Sequence, residues 1–270
     1  MIERDELIFR IAFASYRNIN IETASNFAAR GVSVCDFFNM PAQRLAAITG
    51  IRSDYFSDEK RSTALELAKR EADFIADSRV KPVFYTDRDY PNRMAECGDA
   101  PAMLYVAGNN EAARASCSVA IVGTRHCTPY GADFTRRLVS ELASTLDGSL
   151  LIVSGLAFGV DIAAHRAALE AGVPTAAVLA HGLNTIYPAD HRNEAKRIIS
   201  DGGFLATEYR SSDRIHRGNF LARNRLIAAL ADVTVVVESD FKGGAMVTAR
   251  IAASYNREVM ALPGRVNDTY

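Results

Sequence analysis

Ser154, Asp161 and His165 bring a hydroxyl, a carboxylate and an imidazole into one short stretch, the first place where covalent chemistry could reside. A serine nucleophile on a strand-to-helix elbow needs glycine two residues to either side. Those positions hold Ile152 and Leu156. Asp161 and His165 lie four apart, on one face of a helix, and read as a local polar contact rather than an acid/base couple. The four cysteines (Cys35, Cys97, Cys117 and Cys127) form no C-x-x-C pair and have no zinc-ligand spacing. They read as reduced thiols, and no metal or cofactor is expected.

The glycines point to a different chemistry. Gly123-Thr124-Arg125, Ser154-Gly155-Leu156-Ala157-Phe158-Gly159, His181-Gly182 and Phe241-Lys242-Gly243-Gly244 each follow an apolar run. Backbone N–H groups freed by glycine at a helix start make an anion site, and Arg125 and Lys242 add positive charge. The expected ligand is a phosphate. A dinucleotide fingerprint needs G-x-G-x-x-G, but Gly123 stands alone, and no G-x-x-x-x-G-K-[ST] occurs. From Arg210 to Arg225 there are five arginines (Arg210, Arg214, Arg217, Arg223 and Arg225) against one acid, Asp213, with His216 and Phe220 among them. Guanidinium groups interleaved with an aromatic suit a nucleic-acid strand; a solvated arginine-rich loop is the other reading of that stretch. With the phosphate-ready turns beside it, DNA or RNA moves ahead.

These residues need a scaffold, and the chain supplies an α/β pattern. Val119–Val122, Leu150–Val153, Thr175–Ala180, Phe204–Thr207, Val233–Glu238 and Glu258–Leu262 are short apolar runs separated by helical stretches. Such runs predict a Rossmann-like, doubly wound, mostly parallel sheet covered on both faces. Ligands bind outside the carboxyl ends of its strands, where the glycine turns lie. Thr128-Pro129 predicts a helix start, and Phe134, Leu138, Leu142 and Leu146 predict its buried face. Residues 1–76 read as a small all-helical domain ahead of a DNA-binding domain over 80–270. In the first, Pro41 and Gly50 bracket a helix; its Gly-ended turn reads as a plain connection rather than a phosphate contact.

The 270 residues are 49% hydrophobic, and 31 basic against 32 acidic side chains give a net charge of −1. The whole-molecule field favours no partner class, so any DNA contact must be local. No apolar run reaches the about 18 residues of a membrane helix. The start, Met1-Ile2-Glu3-Arg4-Asp5-Glu6, is too charged for a signal peptide. A cytoplasmic protein with no membrane partner is expected.

An ordered series of motifs resembles the DNA-processing protein A (DprA/Smf) family. It runs through Asp89-Tyr90-Pro91, Pro101-Ala102-Met103-Leu104-Tyr105, Ala120-Ile121-Val122-Gly123-Thr124-Arg125 and Val153-Ser154-Gly155-Leu156-Ala157-Phe158-Gly159-Val160-Asp161 with Ala164-His165. It continues through Ala180-His181-Gly182-Leu183 with Tyr187-Pro188, Phe220-Leu221-Ala222-Arg223-Asn224-Arg225, Thr248-Ala249 and Leu262-Pro263-Gly264. The match covers about residues 80–270, and the N-terminal helices fit the small SAM or helix-hairpin-helix-like domain often found ahead of it. The resemblance implies a protein that binds and protects incoming single-stranded DNA and helps load RecA recombinase in natural transformation, without covalent chemistry. It implies DNA contacts at Arg125, Ser154, Gly155, Phe158, Gly159, Arg223, Arg225, Lys242, Gly243 and Gly244. It also implies a homodimer through the end of this domain, where Met246, Val247, Ile251, Ala252 and Tyr255 form an apolar stripe.

There are departures from the family. Gly243 stands where serine is usual, and His191 where asparagine is common. The chain stops at Asn267-Asp268-Thr269-Tyr270, where relatives usually continue, many into a winged-helix domain. Arg223 and Arg225, two apart on a helix, diverge by about 200°; one is expected on DNA and the other on a carboxylate within the fold. The rival reading is a nucleoside monophosphate phosphoribohydrolase. That family carries P-G-G-x-G-T-x-x-E; here Lys242 replaces the proline and Thr248-Ala249-Arg250 brings no glutamate, leaving Glu208 and Glu238 as the available acids. A third reading is a protein-interaction module whose glycines serve only close packing.

Overall fold

A computed structural model describes residues 3–16, 18–146 and 149–264. The chain end Asn267–Tyr270 and the first two residues of the charged N-terminal stretch lie outside the described residues. The chain forms two compact units, one running to Tyr90 and taking in Gly98–Leu104, the other made of Pro91–Cys97 and Tyr105 onward.

The first unit holds α1 (Arg4–Ala14), α2 (Ile21–Ala29), α3 (Val34–Asn39), α4 (Ala42–Thr49) and α5 (Asp58–Asp77). Side-chain caps set their starts: Asn20 accepts from Thr23 N, Ser33 and Asp36 form a reciprocal capping box, and Ser57 accepts from Lys60 N. Gly50, in the left-handed conformation, closes α4. Phe37 is the hub of the core, with edge-on contacts to Phe13, Phe27 and Phe56 at centroid distances of 5.1, 5.5 and 5.8 Å. Arg61, buried on α5, donates to the Phe38 and Met40 carbonyls and so caps the end of α3. The sequence predicts an all-helical unit over residues 1–76; the unit instead runs to Tyr90 and contains a strand. It includes β1 (Lys81–Phe84) and Gly98–Leu104, because Ile21 N and Glu22 N donate to Ala100 O and Gly98 O, and Tyr85 N to Ala102 O.

The second unit begins with α6 (Asn92–Ala95) and contains most of β2 (Met103–Gly108). There follow β3 (Cys117–Val122), α7 (Pro129–Thr145), β4 (Leu150–Ser154), α8 (Val160–Glu170), β5 (Thr175–Val178), α9 (Arg192–Ser200) and β6 (Phe204–Thr207). The series closes with α10 (Arg217–Ala229), β7 (Val233–Val236), α11 (Gly244–Ser254) and β8 (Glu258–Ala261). All six expected strands form. The strand order is β1-β2-β6-β5-β4-β3-β7-β8. The pairs from β6 to β8 are parallel, and β2 runs antiparallel to β6. From β3 the chain winds outward through β4, β5 and β6, then returns to the other side of β3 with β7 and β8. The order therefore reverses between β3 and β7, and an open sheet of this kind offers its ligand crevice at that reversal.

Apolar burial fixes the helices on the sheet. Val119, Ile121, Leu150, Ile152 and Val235 pack with Val139 of α7 and with Val160, Ala164, Ala167 and Ala168 of α8. Leu156, Ile162, Ala177, Ala195, Ile198 and Leu205 form a second cluster under α9. In α7 the expected stripe Phe134, Leu138, Leu142 and Leu146 is only partly buried; Thr135 and Val139 lie deepest. On α11 the buried face is Ala245, Thr248, Ala249 and Ala252.

Candidate nucleic-acid interface

The turns after β3 and β4 are built as one piece. Thr124 N donates to Glu238 O at the end of β7 (2.6 Å), and Val160 N, opening α8, donates to Thr124 O (3.1 Å). Gly159 has φ +78°, and a Cβ there would overlap the Thr124 carbonyl and the Arg125 backbone. A side chain fits neither the dihedral nor the space. Between these glycines Leu156 is held at φ +56° with no exposed surface, its carbonyl accepting from His191 Nδ1 at 2.8 Å. A buried non-glycine residue in this region is strained. His191, the departure from asparagine, thus supports the second turn.

Arg125 leaves the first turn into solvent. Its guanidinium lies over the Phe220 ring at 5.7 Å, and among the described residues it forms no ion pair. Phe220, on α10, meets Tyr187 at 5.8 Å, and Tyr187 is 49% exposed. Phe158, 45% exposed, stands edge-on to His191 at 4.8 Å. Lys242 is exposed ahead of α11. Gly243 sits in a tight turn, where a Cβ would come within 2.5 Å of Ser239 Oγ and 2.9 Å of Asp240 O, so a serine here would require the turn to shift. Gly244 opens α11, and its carbonyl accepts from Asn224 Nδ2.

Three residues expected at the DNA surface are turned inward. Ser154 has no exposed surface and donates to Ile121 O at 2.6 Å, so it braces β4 against β3. Arg223 is 4% exposed; its Nη1 donates to Gly155 O and Val178 O, carbonyls at the ends of β4 and β5. Gly155 has no side chain because that guanidinium fills the space. Arg225 pairs with Glu208. The expected division between the two arginines therefore holds only for the carboxylate: Arg225 takes it, but Arg223 faces the interior instead of solvent. Arg210 pairs with Asp213 at 2.9 Å. Of the five arginines in this stretch, Arg214 and Arg217 remain exposed and without an ion pair among the described residues.

Ser154, Asp161 and His165 do not form a nucleophile relay. Thr175 Oγ1 donates to Ile152 O, so it accepts from His165 Nδ1 (both 2.8 Å). Burial, then the charges of His191 and Arg223, push the His165 pKa down to about 3. Burial raises the Asp161 carboxyl, against the pull of Arg223. Glu238 accepts from Thr128 N (2.8 Å) and from the Thr128 hydroxyl at the start of α7. Gly131 leaves room for it; a Cβ there would meet the carboxylate at 2.6 Å. Among the described residues no cluster of His, Cys, Asp or Glu could hold a metal ion, and no helix is long and apolar enough to cross a membrane.

A doubly wound sheet with its free cations and exposed aromatics gathered near the strand-order reversal defines a Rossmann-like binding domain. The chain belongs to the DNA recombination-mediator protein A family, which matches residues 81–270. It is 39% identical to Protein Smf of Synechocystis sp. over 196 residues, 70% of this chain and 48% of that one. The fold is similar to an X-ray structure of DNA processing protein A from Streptococcus pneumoniae, with a TM-score of 0.79 and 27% identity over 99% of this chain and 89% of that one. It is also similar to DNA processing protein A from Helicobacter pylori, whose structure was described for its single-stranded DNA binding mode (TM-score 0.62, 34% identity, 70% of this chain and 83% of that one). The chain spans about half the length of curated relatives such as Protein Smf.

The assigned site residues left out Phe220, Tyr187 and Phe241. The interleaving of Phe220 with arginines was a sequence signal; its contact with Arg125, 95 positions away, was not.

Proposed function

We propose that this chain binds single-stranded DNA across the rim formed by the turns after β3, β4 and β7 and the start of α10. The observation that carries the reading is Arg125, exposed and without an ion-pair partner among the described residues, lying over Phe220 beside the strand-order reversal. A guanidinium holds a phosphate, and exposed aromatic faces take unpaired bases. Lys242, Arg214 and Arg217 add charge, and Gly155, Phe158, Gly159, Gly243 and Gly244 shape the turns. Ser154, Arg223 and Arg225 act from beneath as supports. The likeness to the H. pylori protein supports single strands as the ligand.

Family membership supports the finer role: protecting incoming DNA and helping to load RecA recombinase during natural transformation, in the cytoplasm and without covalent chemistry. The two acids a phosphoribohydrolase would need favour binding over hydrolysis, since Glu208 pairs with Arg225 and Glu238 caps α7. A homodimer fits the α11 packing. With Ala245, Thr248, Ala249 and Ala252 on the buried face, Met246, Val247, Ile251 and Tyr255 stay half-buried, and β8 is exposed along its length. The test is a titration with single- and double-stranded oligonucleotides of equal length at two salt concentrations. Tighter binding of the single strand, weakening as salt rises, is the expected result. Equal affinity for both forms, or no salt dependence, would overturn the reading.

A further inference from the structure

Phe241 stands in the loop between β7 and α11 with 77% of its surface exposed, more than any other large apolar side chain among the described residues. A phenyl ring left in water forgoes the gain of apolar burial, and among the described residues nothing buries it. Its surroundings identify what does. Thr124 N bonds to Glu238 O, so the Phe241 loop and the Arg125 turn flank the same strand-order reversal. Exposed Lys242 follows Phe241 directly. Asp240, on its other side, is exposed and accepts from the Lys242 amide at 3.4 Å. The ring is thus an exposed apolar face beside Lys242 and across the reversal from Arg125, neither of which has an ion pair among the described residues, which suits a polyanion that also carries flat apolar groups.

Resting on the single-strand reading above, we infer that Phe241 is a second base-stacking platform, beyond the Phe220 and Phe158 side of the rim. The strand then crosses the reversal point with Arg125 between its two aromatic ends. Neighbouring strands lie about 4.8 Å apart, so the loops after β4 and β7, two strands apart, are separated by about 10 Å. At about 3.4 Å per stacked nucleotide, that span takes roughly three nucleotides.

The chain contains no tryptophan, so Phe241→Trp introduces a single indole reporter on an exposed position. Its emission should be quenched by oligothymidylate and not by an abasic strand of equal length and charge. Phe241→Ala should weaken single-strand binding roughly 5- to 150-fold, the range for losing one stacked base, with the salt dependence and the melting temperature unchanged. If wild type binds the oligonucleotide while Phe241→Ala binds as tightly and the indole is not quenched, Phe241 faces some other partner and this inference falls alone. Failure of wild type to bind single strands would remove the underlying reading along with it.

Discussion

Arg125 and Arg223 have the same side chain and opposite surroundings, and their loss should be felt in different measurements. Arg125→Ala removes one exposed cation, so single-strand affinity should fall and the salt slope should drop by about 0.7, the value for one phosphate on a single strand. Its thermal midpoint should stay at the wild-type value; unchanged affinity and slope would exclude the role. Arg223→Ala strips the donors from Gly155 O and Val178 O and leaves Asp161 buried without its cation. Leaving a buried acceptor without its donor costs about 1–3 kcal/mol, so urea denaturation should show a loss of that order for each of the two carbonyls. A variant as stable as wild type would mean that the guanidinium is not a support. The sequence showed that two arginines on one helix could not share a groove. It could not show that one faces inward, because the carbonyls that Arg223 satisfies come from strand ends 68 and 45 positions away.

At the level of elements, the apolar runs revealed β3 to β7 because parallel strands covered on both faces are apolar throughout, and revealed β8 by its apolar residues although that edge strand is exposed. Of the two strands outside that series, only β2 is apolar and largely buried, and it precedes the strand–helix alternation that marks the others. Lys81-Pro82-Val83-Phe84 is half exposed, and Met103–Gly108 pairs antiparallel with β6 at the side away from the reversal. In α7 the leucines were the visible stripe, yet Thr135 and Val139 lie closer to the sheet, since side-chain size near a sheet matters as much as hydrophobicity. The turns were legible as glycine clusters, but only their packing separates the glycines that must be glycine from those that merely can be. Gly159 and Gly172 make that distinction testable. Both have positive φ, but a Cβ at Gly172 meets nothing within 4 Å. Gly172→Ala should therefore cost only the backbone term of about 1–2 kcal/mol. Gly159→Ala should lose more stability by chemical denaturation, and DNA affinity as well, because the Arg125 turn must move. Equal losses in the two variants would show that the turns after β3 and β4 are not one piece.

For the whole molecule, pH acts through a buried imidazole. His165 has a folded pKa of about 3 against an ordinary 6.5. The unfolded chain takes up this proton through pH 6.5 while the folded chain does not until about pH 3, so the unfolded state binds more protons between those values. Stability must then fall as pH drops through that window. Asp161 works in the opposite sense, because its raised carboxyl gives the folded state extra protons as pH falls. Urea midpoints between pH 7.5 and pH 5 should fall more steeply for wild type than for His165→Asn, the difference being the His165 contribution. Parallel slopes would remove His165 as the cause. Assembly is the other whole-molecule property. Met260 is 56% exposed on the edge strand β8, and light scattering at micromolar concentration should give twice the 29.4 kDa chain mass. Met260→Glu, a charge on that edge, should return the mass to one chain and weaken binding to strands long enough to reach both rims. A monomeric wild type with full-strength binding would exclude the paired arrangement.

Glu238 bears on what this protein meets inside a cell. The start of α7 is where a fold of this type ordinarily greets a nucleotide phosphate, and here the chain's own carboxylate already holds the Thr128 amide and hydroxyl. A free nucleotide would lack that end-on grip and, on the proposed reading, would meet only the outer rim as a single short anion. On the proposed reading a strand would engage several rim groups at once, so length itself would set it apart from a single nucleotide.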